Sequence, residues 1–170
     1  MSFLNPLSKR DESRKLAHML RSAYSSELAA ALVYRGHWKT LKSPTERLAV
    51  RRIELEEWAH RRDIRAMLSV LGAKPSKARE ICFRVLGVTL GELCTIAGWF
   101  LPMYFAGLLE HNNVHEYEAA AAVAGDIEFH GFVPKLLSMA VVEGQHEEYF
   151  RSLVEEHRAR RVLRRIFGWG

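Results

Sequence analysis

Apolar positions recur with a period near 3.6 along most of the chain, and no stretch alternates with period two for long, which predicts helices and no sheet. Between Asp11 and Lys39 the apolar residues Leu16, Met19, Leu20, Ala23, Tyr24, Leu28, Ala31, Leu32 and Tyr34 follow that period. Ser43-Pro44-Thr45-Glu46 is a capping box with proline at the first helical position, so a second helix starts there. It should stop at Gly72, with Pro75 blocking extension. Ser76 can cap a shorter helix over about 77–86. The segment from Ile81 to Leu109 is the most apolar, but Arg84, Glu92, Pro102 and several glycines make it a poor membrane span. It reads as a connecting helix followed by a third long helix from about Trp99 to Ala124, ended by Gly125-Asp126. A fourth is expected from Val133-Pro134 to Phe167. Long helices with short connections imply an all-α, antiparallel four-helix bundle.

Composition narrows the class. The 170 residues are 48% apolar and 26% charged, enough for one globular domain with its own core. We expect that domain to span 1–170, with a core over about 11–155 and a basic tail over about 156–170. Two cysteines, Cys82 and Cys94, with no CxxC exclude a disulfide scaffold and a thiolate zinc site. The opening MSFLNPLSKRDESRK has no apolar core of a secretory signal, so a cytoplasmic location is expected. The net charge of +5 is uneven, because Arg158 to Arg165 holds five arginines in eight residues. Such a tail suits an anionic partner, either phospholipid headgroups or nucleic acid.

Two Glu-x-x-His segments carry the candidate chemistry, Glu57-Trp58-Ala59-His60 and Glu143-Gly144-Gln145-His146. In a helix, residues i and i+3 share a face, so each segment can offer a carboxylate and an imidazole to one metal. Each alone is weak, because isolated pairs arise by chance. The arrangement is stronger. A di-iron carboxylate bundle takes one Glu from each of two helices and one Glu-x-x-His from each of the other two. Glu27 lies in the run Ser26 to Ala31, and Glu110 follows Tyr104 to Leu109. An acid in such a run is costly to bury unless paired or bound to metal. The order Glu27, Glu57/His60, Glu110, Glu143/His146 describes two helical hairpins with the same ligand layout. Iron(II) accepts these donors, and manganese suits them too.

Other acids compete. Glu54 and Glu56 are close to Glu57, and Glu54, one turn before it, could sit behind the ligands, although solvent is the favoured expectation. Glu116 and Glu118 could replace Glu110 but follow no comparable apolar run, and Glu147 is expected to point away. Tyr34 and Tyr117 each stand seven residues after a candidate ligand glutamate, on the same helix face. Either could donate a hydrogen bond to a ligand or serve as core.

These residues resemble those of the demethoxyubiquinone hydroxylase family, ferritin-like di-iron monooxygenases of ubiquinone synthesis. The resemblance covers roughly residues 15–153. Glu27 with Val33-Tyr34-Arg35-Gly36, the run from Glu57 through Leu71-Gly72-Ala73-Lys74-Pro75-Ser76, and Glu110 with His115 and Tyr117 carry it. It departs at Glu116, where the family usually has histidine, and at His37, where it has glutamine. The resemblance implies a ferritin-like bundle in which Glu27, Glu57, His60, Glu110, Glu143 and His146 ligate two irons. It implies dioxygen as oxidant and an external reductant, NADH or a reductase. The substrate implied is a polyprenyl quinone precursor hydroxylated on its ring. The chain has no GxGxxG nucleotide fingerprint.

A prenylated quinone dissolves in the bilayer, so such an enzyme must reach a membrane. Trp99, Phe100, Met103 and Tyr104 could form a hydrophobic mouth, or core, or a dimer interface. In the tail, Ile166, Phe167 and Trp169 alternate with arginines as in interfacial helices. The expectation is peripheral association with the inner membrane face, with a homo-oligomer or a biosynthetic complex left open. Nucleic acid is the less favoured partner, although di-iron bundles that hydroxylate modified tRNA would use a basic tail. A non-enzymatic iron-binding role ranks below both.

Overall fold

The computed structural model describes residues 6–170, and it is all helical there. The helices are α1 (Pro6–Thr40), α2 (Pro44–Val70), α3 (Lys77–Leu93), α4 (Phe100–Asp126), α5 (Val133–Val154) and α6 (Arg160–Phe167). The starts follow the sequence signals. Ser43 Oγ accepts from Glu46 N at 3.4 Å with Pro44 behind it, and Ser76 Oγ accepts from Arg79 N at 3.5 Å. After α2, Gly72 takes φ of 63° and Ala73 N reaches Leu68 O at 2.8 Å, a left-handed C-terminal stop.

Two hairpins make the bundle, α1 against α2 and α4 against α5, with α3 laid across α1. The apolar side chains form two clusters. One contains Leu16, Leu20, Tyr24, Ile64, Leu68, Tyr117, Ala124, Leu136 and Met139. The other contains Ala30, Tyr34, Val50, Ile53, Met103, Tyr104, Phe150 and Val154. On each of the four long helices the positions between the clusters are polar and buried, namely Glu27, Glu57 with His60, Glu110 with Asn113, and Glu143 with His146. A layer of ionisable groups therefore crosses the bundle between two apolar plugs. Burying unpaired carboxylates is expensive, so this layer demands compensation.

Three expectations need correction. The connecting helix continues past 86 to Leu93. Its only buried residues are Gly87 and Gly91, and a Cβ on Gly36 would lie 2.5 Å from the Gly91 backbone, so α1 and α3 touch through glycine. Secondly, the fourth long helix ends at Val154 and does not run to Phe167. The chain turns, with His157 N on Val154 O at 3.0 Å, and α6 follows separately. That turn lets Trp169 fold back onto α4, where its ring lies over Gly107 and only 3% of it is exposed. Thirdly, Trp169 of the tail is a core residue, and Phe100, Met103 and Tyr104 fill the core as well, one of the alternatives open for their segment. Tyr104 Oη donates to the Trp169 carbonyl at 2.5 Å, and Phe100 stacks on His157. Trp99, Ile166 and Phe167 are exposed, as expected. No described helix is long and apolar enough to cross a membrane.

Candidate metal centre

The structure brings all six candidate ligands together. Oxygen and nitrogen atoms of Glu27, Glu57, His60 and Glu143 lie within 4.8 Å of one another. So do those of Glu57, Glu110, Glu143 and His146. The two sets overlap in Glu57 and Glu143, the glutamates of the two Glu-x-x-His segments. Each set adds one histidine and one glutamate of its own, giving a pseudo-twofold arrangement across the hairpins.

Several buried polar atoms have no hydrogen-bond partner: Glu27 Oε2, both Glu57 oxygens, Glu143 Oε1 and the Nδ1 atoms of His60 and His146. These six converge on the candidate ligands, whereas the other partnerless buried atoms, on His37, Arg79, Tyr149 and Arg160, are scattered. Buried donors and acceptors are nearly always satisfied, so so many orphans in one place mark a site built for something further. Cation binding would satisfy them. His60 Nδ1 stands 2.8 Å from Glu143 Oε1, and His146 Nδ1 stands 3.4 Å from Glu57 Oε1.

The proton balance of the protein alone tells the same story. Burial pushes the carboxyls of Glu57 and Glu110 well above the usual carboxylate range, and the charge of Glu143 adds to it. Glu27 is raised by burial as well. Burial opposes ionisation of Glu143 too, but the close approach of Glu110, His146 and His60 prevails and holds its pKa below the ordinary range. Burial lowers the basicity of His60, yet the Glu143 carboxylate 2.8 Å away outweighs this and the pKa is raised. Four carboxylates this close cannot all ionise without cations. Two divalent ions would balance them, so the residues present fit a dinuclear metal group.

Both tyrosines hold candidate ligands. Tyr34 Oη donates to Glu110 Oε1 and Tyr117 Oη donates to Glu27 Oε1. Burial and the neighbouring carboxylates keep both phenols protonated, with pKa values well above the usual. Asn113, unassigned from the sequence, donates from Nδ2 to Glu110 Oε2 at 3.2 Å. Its signal was present, since it stands three residues after Glu110 as each histidine follows its glutamate. Glu56 was also passed over, and its Oε2 lies 2.8 Å from His146 Nε2.

Glu54 is a correction, because it is buried and not in solvent. Arg35 Nε at 2.7 Å, Trp38 Nε1 at 2.8 Å and Trp58 Nε1 at 3.3 Å all donate to it, tying α1 to α2 outside the site. Glu116 and Glu118 are exposed. Glu147 stays out of the ligand sets and accepts from Trp169 Nε1 at 2.9 Å.

Beside the ligands, an apolar cavity of about 540 Å³ opens between α1, α3 and α4. Tyr34, Leu90, Leu93, Leu101, Phe105 and Leu109 are among the side chains that line it. Tyr34 thus touches both this cavity and a candidate ligand.

Residues 14–122 match the family described as ubiquinone biosynthesis protein COQ7. The chain belongs to the COQ7 family. No curated protein and no solved structure matches it. COQ7 membership places the chain in ubiquinone biosynthesis and supports an enzymatic role. The matched stretch contains Glu27, Glu57, His60 and Glu110 but ends before Glu143 and His146. Those last two join the COQ7-matching residues only through the packing of α5 on α4.

Proposed function

We propose that this chain is a di-iron monooxygenase that uses dioxygen and an external reductant to hydroxylate the ring of a polyprenyl quinone precursor. The pair of overlapping ligand sets sharing Glu57 and Glu143 carries this reading. Glu27 and His60 would hold one iron, Glu110 and His146 the other, and Glu57 and Glu143 would serve both. Two iron ions bound there would supply the redox chemistry that activates dioxygen. The tyrosine hydroxyls and Asn113 orient the carboxylates, and Tyr34 remains a donor because it keeps its proton. The apolar cavity supports the substrate class, since its lining suits an aromatic ring with an isoprenoid chain.

A membrane surface completes the reading, because a prenylated substrate resides in a bilayer. Support comes from α3, which turns Ile81 (66% exposed), Val85 (62%) and Leu93 outward beside the apolar cavity. Phe105 at the cavity meets Phe167 of the arginine-rich α6 edge-on at 5.2 Å. The reading is peripheral association with an anionic inner membrane face.

The direct test is a mass-spectrometric profile of the quinone pool in cells lacking this gene. The expected result is accumulation of a precursor missing one ring oxygen, reversed by the wild-type gene and not by Glu143→Ala. An unchanged pool in cells with no second hydroxylase would overturn the substrate assignment.

A further inference from the structure

The two Glu-x-x-His segments differ in what stands behind their histidines. His146 Nε2 lies 2.8 Å from Glu56 Oε2, while its Nδ1 faces the site, 3.4 Å from Glu57 Oε1 and 3.7 Å from Glu143 Oε2. The second oxygen of Glu56 accepts from Arg52 Nε at 2.9 Å, so the carboxylate is itself held in place. Glu56 immediately precedes Glu57, and the counterpart preceding Glu143 is Val142, which has no acceptor to offer. Among the described residues, the one carboxylate within 4 Å of His60 is Glu143, on the Nδ1 side that faces the site. The rest of the His60 ring meets the edge of Tyr117, with centroids 5.9 Å apart.

A neutral imidazole carries one N–H, and a metal needs the lone pair of the other nitrogen. An acceptor on Nε2 keeps the proton there, presents Nδ1 as the donor atom and fixes the ring plane. His146 has such an acceptor and His60 has none of that kind, so His60 loses more freedom when it ligates. From this asymmetry we propose that Glu56 is a positioning residue for His146. In consequence, the metal position formed by Glu57, Glu110, Glu143 and His146 is the tighter of the two. The inference rests on the dinuclear reading above and adds an order of filling to it.

The test is a titration of the metal-free full chain with Mn(II), followed by calorimetry and electron paramagnetic resonance. Wild type should take up two ions in separable steps. Glu56→Gln should weaken the tighter step by about 10–100-fold and leave the weaker one in place, as loss of a carboxylate behind a ligating histidine does. His60→Ala should retain the tight step, and His146→Ala should lose it, which assigns the steps independently of Glu56. The ¹⁵N shifts of the His146 ring should report the Nε2–H tautomer in wild type and a tautomer mixture in Glu56→Gln. A Glu56→Gln chain with both steps unchanged, or with both weakened alike, would overturn the inference. A wild-type chain that never binds a second ion would instead overturn the dinuclear reading beneath it.

Discussion

His37 illustrates what burial does to a single residue. It is 1% exposed, neither ring nitrogen has a partner, and burial lowers its pKa to about 4. The unfolded chain would titrate it near 6.5, so between those values the unfolded state binds more protons than the folded one. Its contribution to stability is therefore present above pH 6.5 and lost as pH falls toward 4, by roughly 3 kcal/mol in full. Urea unfolding of the metal-free chain at a series of pH values, compared with His37→Leu, checks this. The variant should show a shallower loss across that window. The candidate ligands of the two Glu-x-x-His segments were legible at this scale because their spacing is local, three residues within a helix turn, and Glu27 and Glu110 because each is an acid set against an apolar run. Glu56 and Glu54 were not, because their partners His146, Arg35 and Trp38 lie on other helices and leave no mark near them in sequence.

Elements were legible where a chemical signal marks their ends. Ser43-Pro44, Gly72 and Ser76 each stand where a helix starts or stops. The break between α5 and α6 has no such signal, since residues 155–159 contain neither glycine nor proline. Tertiary packing imposes it, through Trp169 on Gly107 and its bond to Glu147. Trp169→Ala should release residues 155–170, and hydrogen exchange should show them losing protection while α4 and α5 keep theirs. The contact of α1 with α3 makes a separate prediction. A methyl group at Gly36 meets the Gly91 backbone, so Gly36→Ala should destabilise the chain by about 1–3 kcal/mol in urea unfolding.

At the scale of the whole molecule, the bundle and its polar layer were visible in the order of four acids and two histidines along the chain. The exposed face was not. The sequence pointed to Trp99–Tyr104 and the tail, yet Phe100, Met103, Tyr104 and Trp169 fill the interior while α3 turns its apolar side chains out. Glycines mount α3 on α1 with almost none of its side chains buried, a result that periodicity does not reveal. If that face meets a bilayer, the double variant Ile81→Glu, Val85→Glu should lose binding to anionic phospholipid vesicles in a sedimentation assay and keep its metal content. Stronger wild-type binding to tRNA than to those vesicles would point to a nucleic-acid partner instead.

The central claim is that Glu57 and Glu143 serve two metals at once. Anaerobic loading with iron(II), with metal counting and Mössbauer spectroscopy on wild type, Glu57→Ala and Glu27→Ala, tests it most directly. The account predicts two irons per wild-type chain, loss of both in Glu57→Ala, and retention of one in Glu27→Ala. Two irons still bound in Glu57→Ala would contradict it.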